Sequence, residues 1–403
     1  MKVFLLIPLI FFFILDLYAF QLFKVLQLGK LFEKSYWAFH IIGYIIILYS
    51  IAIYDPQGAS NKMTVIVQIV TGWGILFYVP KLIPIFLGTI EDLYRGGSWV
   101  VGEGLPDRRK FISIISWGVA AIPFLGIIHG IFLGRSNYQI LNNKVKIKGL
   151  PSEFDGFRIL QISDIHSGSF LNFDEVEEGV NMVLEQKVDA IVFTGDLVNN
   201  IYSEMTPWID LFKKIDAPYG VFSILGNHDY GDYVKWDSSE AKNKNMTNLF
   251  ETHKKLGWKL LKNENTQIEK NGSQLDIVGV ENWGNPPFPK YGDLDLALDG
   301  LDRHTPKILL SHDPSHFDAE VINNKANIAL TLSGHTHGMQ FGIEIPGWIK
   351  WSPVKFKYPK WAGHYTHHET KKSLYVNRGF GYLAFPGRVG IWPEITIHEL
   401  NKL

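Results

Sequence analysis

Five short polar clusters in the second half of the chain carry residue types that bind divalent metal ions. Carboxylates, imidazoles and an amide oxygen suit hard and borderline cations. Most of the clusters follow an apolar run that is typical of a β-strand, so several strand ends could deliver these groups to one point, as in a two-metal hydrolytic site. The clusters are Asp164-Ile165-His166, Gly195-Asp196, Gly226-Asn227-His228-Asp229, Ser311-His312-Asp313 and Gly334-His335-Thr336-His337.

The spacing within the clusters fits shared metal ions. Side chains two residues apart in an extended segment point to the same side, so Asp164 and His166 can grip one ion together. Gly195 permits a sharp turn beside Asp196, whose two carboxylate oxygens could bridge two cations. Taken singly, each cluster is also explained by a capping Asp, a turn Asn or a buried His. Five clusters in one order favour a metal site.

Alternating apolar segments from residue 137 onward predict the elements that position these clusters. An early strand-helix-strand-helix-strand series is followed by mostly strands, which predicts an α/β (α+β) domain with a two-sheet β-sandwich core flanked by helices. The predicted strands and helices are Phe157–Ser163, Asp174–Gln186 (opened by an Asp cap), Ala190–Thr194, Trp208–Lys214, Gly220–Leu225, Ser238–Leu256, Thr266–Lys270, Gln274–Val280, Lys307–Leu310, Ile328–Leu332, Ser373–Val376 and Ile395–Glu399.

Four apolar stretches before residue 135 reach the length of about 20 residues that a membrane span requires. They predict an N-terminal four-helix transmembrane region over residues 1–136, followed by a second domain over residues 137–403. A signal peptide is the alternative for the first stretch, but no small-residue cleavage site follows it. The stretches are Phe4–Phe23, Ser35–Tyr54, Met63–Val79 (with a continuation past Pro80 and Lys81 left open) and Phe111–Leu133.

Basic residues in the short loops predict the orientation in the membrane. Seven Lys and Arg residues fall in two loops on one side and two on the other, which places both basic loops in the cytoplasm and the second domain outside it, although Lys81 weakens this count. Arg108-Arg109 before the last span also resembles a twin-arginine export signal, with a plain basic stop as the alternative. The loop residues are Lys24, Lys30, Lys34, Arg95, Arg108, Arg109 and Lys110 against Lys2 and Lys62.

Three polar residues fall inside the predicted spans: Asp16, His40 and His129. Ionisable groups within a membrane are candidates for function, but structural or interfacial roles are favoured here. A transporter would need paired charges within the spans, and the sequence reveals none. The net charge of −1 argues against a nucleic-acid partner, and the absence of cysteine leaves only nitrogen and oxygen ligands for a metal.

The five clusters resemble the pattern of the calcineurin-like metallophosphoesterases, which reads D-x-H, G-D, G-N-H-[DE], a later His and G-H-x-H. The resemblance covers residues 150–400, and its nearest branch is membrane-associated, with twin-arginine-exported phosphodiesterases and UDP-2,3-diacylglucosamine pyrophosphohydrolase-like enzymes. It implies that one metal is held by Asp164, His166, Asp196 and His337, and a second by Asp196, Asn227, His312 and His335.

The resemblance implies a hydrolase with two divalent ions, of which Mn²⁺, Fe²⁺ and Zn²⁺ suit the imidazoles better than Mg²⁺. The ions would activate a bridging water for attack on a phosphodiester or pyrophosphate. His228 is the expected general acid or phosphate-binding residue, with Asp229 orienting it and Asn227 beside the substrate. Arg378 could bind a substrate phosphate or serve as a surface turn residue.

The segment 346–365 suggests a source for the substrate. Its Trp, Tyr and Phe residues interleave with lysines, which favours a membrane headgroup region and a lipid-linked phosphoester; packing of the rings inside the protein is the alternative and is slightly preferred. The residues are Trp348, Lys350, Trp351, Lys355, Phe356, Lys357, Tyr358, Lys360 and Trp361. Other functions left open are a UDP-2,3-diacylglucosamine hydrolase acting at the cytoplasmic face and a non-catalytic receptor or scaffold.

Overall fold

The computed structural model describes residues 6–53, 61–100, 108–286, 288–345 and 347–403. The chain divides into two compact units, the first ending at Phe132 and the second beginning at Leu133. The expected domain boundary after residue 136 falls slightly beyond this point.

The first unit consists of four helices: α1 (Leu6–Lys24), α2 (Lys30–Ile53), α3 (Asn61–Val100) and α4 (Arg109–Phe132). Three of them contain segments long and apolar enough to cross a membrane, namely Lys30–Ile53, Met63–Val100 and Arg109–Phe132. Among the described residues, the prediction of four spans is therefore corrected to three candidates. The first expected span, Phe4–Phe23, begins outside the described residues and overlaps α1, which is not among those candidates.

Helix α3 is longer than the predicted third span. It passes through Pro80 and Pro84 and ends at Val100, whereas the sequence predicts a span over Met63–Val79 with a continuation past Pro80 and Lys81 left open. A proline inside a helix removes one backbone hydrogen bond, so a span ending before Pro80 is the natural expectation. In a helix bundle, neighbouring helices compensate for this loss, and α3 continues.

The interior of the helical unit contains a charged pair that the sequence pattern does not reveal. The Asp16 carboxylate on α1 accepts hydrogen bonds from the Lys81 ammonium and from the hydroxyls of Tyr44 and Tyr78. Lys81 also contacts the ring of His40, and Asp16, His40 and Lys81 are all buried. The inference that the predicted spans lack paired charges is therefore wrong. Whether the third span includes Lys81 was left open, so no partner was sought for it.

The second unit contains fourteen strands within the described residues, arranged as two six-stranded sheets and one hairpin. The first sheet has the order β1-β14-β2-β3-β4-β5, the second has the order β12-β13-β9-β8-β7-β6, and β10 and β11 form the hairpin. The strands are β1 (Gln139–Ile147), β2 (Phe157–Ile162), β3 (Ala190–Phe193), β4 (Val221–Ser223), β5 (Lys259–Leu260), β6 (Glu264–Lys270), β7 (Ser273–Gly279), β8 (Lys307–Leu310), β9 (Ile328–Ser333), β10 (Ile343–Ile345), β11 (Ile349–Trp351), β12 (Gly363–Thr366), β13 (Ser373–Val376) and β14 (Glu394–Lys402).

The two sheets face each other across an apolar core. Phe222 and Ile159 of the first sheet belong to the same buried cluster as Ile308 and Leu332 of the second. Five helices accompany the sheets: α5 (Phe173–Leu184), α6 (Ile209–Phe212), α7 (Ser239–Lys255), α8 (Leu294–Ala297) and α9 (Ser315–Ala319). Separate buried clusters join α5, α6 and α7 to the first sheet and α8 and α9 to the second. The expected sandwich flanked by helices is therefore present.

Most predicted elements match within a few residues, and the differences have physical causes. Helix α5 is capped by Asn172, whose side chain accepts from the Asp174 backbone, so the expected Asp cap is wrong. Strand β1 was not predicted because its sequence, QILNNKVKI, is mostly polar, yet it pairs along its whole length with β14 at the edge of the sheet. The β10–β11 hairpin was also missed because each strand has only three residues.

Candidate metal centre

The predicted ligands lie at the carboxyl ends of neighbouring parallel strands. β2, β3 and β4 run parallel in the first sheet, and β8 and β9 run parallel in the second. The loops that follow these five strands carry all seven predicted ligands: Asp164, His166, Asp196, Asn227, His312, His335 and His337. Because the carboxyl ends of parallel strands share one edge of a sheet, two facing sheets bring the five loops together.

The first group of donors consists of Asp164, His166 and His337, all of them buried. The Nε2 atoms of His166 and His337 are 3.0 Å apart, and His337 Nε2 lies 3.2 Å from Asp164 Oδ1. One donor atom from each residue falls within 4.8 Å of the others, so a single ion could contact all three.

The second group consists of Asp196, His312 and His335, and Asn227 joins it. His335 Nδ1 lies 3.3 Å from His312 Nε2 and 2.8 Å from Asn227 Oδ1. The Asn227 Nδ2 atom donates to the Tyr233 hydroxyl at 2.8 Å, which turns the amide oxygen toward the donor group. The metal-ligand role of Asn227 thus has a geometric basis.

Asp196 lies between the two groups. Its Oδ2 atom is 3.5 Å from His166 Nε2 in the first group and 3.1 Å from His312 Nε2 in the second. Its Oδ1 atom accepts a hydrogen bond from the His228 backbone at 2.8 Å. A carboxylate in this position can contribute to two cations at once, which is the arrangement that the motif pattern implies.

The hydrogen bonds around the imidazoles test whether these residues fit metal ions. The Nδ1 atom of His312 lies 2.7 Å from the Thr194 carbonyl, which can only accept, so Nδ1 carries a hydrogen and Nε2 is the nitrogen directed at Asp196. His166 Nδ1 likewise contacts Asn199 Oδ1 at 3.1 Å, and His335 Nε2 contacts the Tyr358 hydroxyl at 2.8 Å. In each ring the free nitrogen faces the donor group, as metal-binding imidazoles require. The residues fit divalent cations.

The pKa values of these groups reflect a competition between burial and neighbouring opposite charges. Burial lowers the pKa of His312, but the adjacent Asp196 carboxylate outweighs burial and raises it to about 10. Burial would also raise the pKa of Asp164, yet His337 beside it holds the pKa below its ordinary value. Burial lowers the pKa of His335 to about 4, so this ring is neutral and able to ligate near neutral pH.

Five of the seven predicted ligands adopt a left-handed backbone conformation. Asp164, Asp196 and His335 have φ values of 51°, 62° and 73°, and His166 and His337 are both at 50°. Such values are rare outside glycine and cost about 1–3 kcal/mol each. A Cβ atom on Gly334 would lie 2.2 Å from Asp164 Oδ2, so this glycine permits the close approach of the fifth loop to the first.

Asp229 organises the loops and does not contact the ring of His228. Its carboxylate accepts hydrogen bonds from the backbone nitrogens of Asp196, Leu197, Val198 and Gly226. The expectation that Asp229 orients the His228 imidazole is therefore wrong, because both of its oxygens are engaged by backbone N–H groups. The side chain of an Asp that follows a strand readily turns back to nearby backbone nitrogens.

His228 is held instead by a backbone carbonyl. Its Nδ1 atom lies 2.8 Å from the Asn199 carbonyl, which accepts, so Nδ1 carries the ring hydrogen. The ring stands edge to face against His166 with centroids 5.0 Å apart and packs on Tyr233 at 4.7 Å. His228 is partly exposed, and among the described residues no hydrogen bond is recorded for its Nε2 atom. This nitrogen is available to a substrate.

Arg378 is not directed at the ligands. Its guanidinium forms ion pairs with Glu394 and, at 2.6 and 2.7 Å, with both carboxylate oxygens of Glu344 on β10. The expectation that it binds a substrate phosphate is wrong, because two carboxylates neutralise it. The buried Arg388 lies nearer the site, with Nη2 3.3 Å from His337 Nδ1 and hydrogen-bonded to the carbonyls of Arg378 and Gly381.

Three supporting residues were missed from the sequence. Asn199 contacts two imidazoles, through its side chain to His166 and its carbonyl to His228. Tyr358 orients His335, and Asp313 Oδ2 lies 3.8 Å from His335 Nε2. Asp313 directly follows His312, and Tyr358 belongs to the aromatic segment 346–365, but neither position predicts a contact with His335. Asn199 comes from a loop that tertiary packing brings near.

The donor geometry predicts that His312→Gln lowers the amount of bound Mn²⁺, because it removes the Nε2 atom that faces Asp196. The matched control is His253→Gln, which alters a buried imidazole that bonds to Ser223 outside the five loops. Metal content of the purified full chain is measured by mass spectrometry. We expect His312→Gln to retain about half of the wild-type metal or less, and His253→Gln to retain nearly all of it. Equal metal content in the two variants would contradict the assignment.

Comparisons with known proteins agree with this geometry. Residues 157–339 match the family described as Calcineurin-like phosphoesterase, and residues 1–135 match the family described as Probable Calcineurin-like phosphoesterase, transmembrane domain. A metallophosphoesterase of Bacillus subtilis is 32% identical over 73% of this chain and 98% of its own length.

Two other relatives are membrane or lipid-related proteins by name. A transmembrane protein with metallophosphoesterase domain from Danio rerio is 26% identical over 77% of this chain and 66% of its own length. A UDP-2,3-diacylglucosamine pyrophosphatase of Chlamydia muridarum is 28% identical over 58% of this chain and 81% of its own length. With two donor groups gathered at the ends of parallel strands and a relative matched over nearly its full length, this chain belongs to the calcineurin-like phosphoesterase family.

Proposed function

We propose that the chain is a membrane-anchored dinuclear phosphoesterase that hydrolyses phosphodiester or pyrophosphate bonds. The observation that carries this proposal is the position of Asp196, whose Oδ2 atom lies within 3.5 Å of an imidazole in each donor group. When bound, two divalent cations would lower the pKa of a water molecule and neutralise charge on the phosphate oxygens.

The residues of the chain supply positioning and proton transfer. Asp164, His166 and His337 would hold one cation, and Asn227, His312 and His335 would hold the other, with Asp196 shared. The bare Nε2 atom of His228 faces away from its carbonyl partner and, once protonated, can donate to the oxygen of the departing alcohol or phosphate. The full set of seven donors argues against a non-catalytic scaffold, in which there would be no reason to keep them.

The proposed activity is tested on the purified full chain with bis-p-nitrophenyl phosphate and added Mn²⁺. We expect hydrolysis by the native chain, and a loss of about 1,000-fold or more in Asp196→Ala, because this change removes a ligand from both cations. The control is Asp210→Ala, which alters an exposed carboxylate paired only with Lys213 among the described residues. If Asp196→Ala were as active as Asp210→Ala, the dinuclear mechanism would be refuted.

The role of His228 as general acid predicts a dependence on the leaving group. His228→Ala should slow hydrolysis of an alkyl phosphodiester by about 100-fold or more, because its alkoxide needs a proton, and should slow an activated aryl diester by only about threefold. The variant's metal content is measured in parallel to exclude loss of ligands. Equal losses on the two substrates would indicate that His228 binds phosphate and donates no proton.

We propose that the catalytic unit lies outside the cytoplasm. The support comes from the basic residues at the start of the third candidate span, Arg108, Arg109 and Lys110, which favour a cytoplasmic position; Arg95, expected in the same loop, lies inside α3 near its end. This argument does not depend on the number of spans before them, since only α4 separates that loop from the second unit. The Chlamydia relative suggests the alternative, a cytoplasmic UDP-2,3-diacylglucosamine hydrolase.

Reporter fusions at the C-terminus distinguish the two sides. Alkaline phosphatase is active only outside the cytoplasm, and green fluorescent protein, exported unfolded, fluoresces only inside it. We expect active phosphatase and dark fluorescent fusions in a bacterial host. Replacing Arg108, Arg109 and Lys110 with Gln should reduce phosphatase activity by about twofold or more, since the orienting charges are lost. Bright fluorescence with inactive phosphatase would instead favour the cytoplasmic alternative.

A further inference from the structure

The β10–β11 hairpin presents an unusual apolar face. Ile343 and Ile345 on β10 pair with Trp351 and Ile349 on β11, and side chains at alternate positions share one face. Within the described residues this sheet has only two strands. Ile343 is 52% exposed, and Trp348 at the turn is 77% exposed. An amphipathic hairpin normally buries its apolar face, but here Ile343 and Ile345 remain exposed in the chain as described, while their partners Trp351 and Ile349 are half-buried.

The opposite face of the hairpin is fixed to the domain. Glu344 forms the bidentate ion pair with Arg378, and Lys350 donates to the Ala362 carbonyl. Residues 344 and 350 are directly paired across the two strands. The polar face is therefore anchored, and this anchoring holds the apolar face outward.

A second apolar projection lies beside the metal site. Phe356 ends the short helical turn Pro353–Phe356 and is 81% exposed, whereas Tyr358, two residues later, is buried with its hydroxyl 2.8 Å from His335 Nε2. Met339, in the turn that begins at ligand His337, is also exposed. The exposed apolar residues are thus continuous in the chain with two metal ligands.

The charges in this region are positive. Lys355 and Lys357 flank Phe356 and are exposed, and no carboxylate partner is recorded for either among the described residues. Lys357 instead lies 4.4 Å from the ring centroid of Phe288, which itself contacts the His335 ring at 4.9 Å. Exposed aromatic residues interleaved with unpaired lysines match the headgroup region of an anionic bilayer.

We propose that Ile343, Ile345, Trp348 and Phe356, with Lys355 and Lys357, form a lipid-docking surface that rests in the headgroup region of an anionic bilayer. Such a bilayer is expected close to the second unit, because α4 is a candidate membrane span and β1 begins only a few residues after it. The substrate class that follows, which depends on the proposed function, is a phosphoester whose apolar part stays in the membrane while its phosphate reaches the metal site.

Lipid contact can be measured without catalysis because the natural chain has no cysteine. Trp348→Cys and Phe356→Cys are each labelled with the small fluorophore NBD in the full chain. The labelled protein is placed in nanodiscs of phosphatidylglycerol and phosphatidylcholine that contain a headgroup-region nitroxide lipid. The matched control is Leu296→Cys, an apolar residue on α8 that is 57% exposed and lies outside the docking surface.

We expect the nitroxide to quench the labels at positions 348 and 356 about twofold or more beyond the label at 296, because only the docking surface enters the headgroup region. Equal quenching at all three positions would overturn the proposal. Energy transfer between labels on two copies, with no lipid quenching, would assign the surface to a second copy of the chain and would equally overturn it.

A rate measurement connects the surface to the substrate class. The double variant Trp348→Ser/Phe356→Ser is compared with the native chain on soluble bis-p-nitrophenyl phosphate and on a diacylglycerol p-nitrophenyl phosphodiester held in the disc. We expect a loss of about tenfold on the lipid substrate and less than about twofold on the soluble one. Equal losses would refute the lipid substrate class. Inactivity of the native chain on both substrates would refute the proposed function, while the quenching result would still decide lipid docking.

Discussion

One buried carboxylate holds the metal-binding loops in register. Asp229 accepts four backbone hydrogen bonds, three from the loop after β3 and one from Gly226 in its own loop. Burial and the nearby Asp196 raise the pKa of Asp229 to about 7, and the N–H groups oppose that rise. Because Asp196 begins the tethered segment, the shared ligand is placed by Asp229. The distances from Asp196 to both donor groups depend on this interaction.

The sequence was sufficient to name the candidate ligands that the fold brings together, because each follows an apolar strand in a recognisable cluster. It was insufficient for the groups that fix them. Asn199, the Thr194 carbonyl and Tyr358 select the imidazole nitrogen that faces the donor groups, yet they belong to loops that meet only in the folded chain. The polar edge strand β1 and the three-residue strands of the hairpin lack a sustained alternation of apolar and polar residues, which is the pattern from which a strand is predicted.

The two arginines near the C-terminus illustrate the same limit. Both follow β13, and an arginine after a strand can equally bind a phosphate or a carboxylate. Packing decides between these roles. Arg378 is ion-paired with Glu344 and Glu394, while the fully buried Arg388 donates to backbone carbonyls beside His337. An expected substrate residue thus becomes the anchor of the hairpin, and a residue with no sequence signal supports the ligand loop.

The pair formed by Asp16 and Lys81 constrains how the chain is assembled. The two residues are separated by 65 positions, so at a synthesis rate of roughly 5–20 residues per second the aspartate emerges roughly 3–13 s before its counter-ion. Removing one partner of a buried ion pair costs about 3–5 kcal/mol, which favours delaying the packing of α1 until α3 is available. Folding of the helical unit therefore depends on the order in which its helices become available. A chain truncated before residue 81 would leave the Asp16 carboxylate without its counter-ion and expose it to the cell's quality-control machinery.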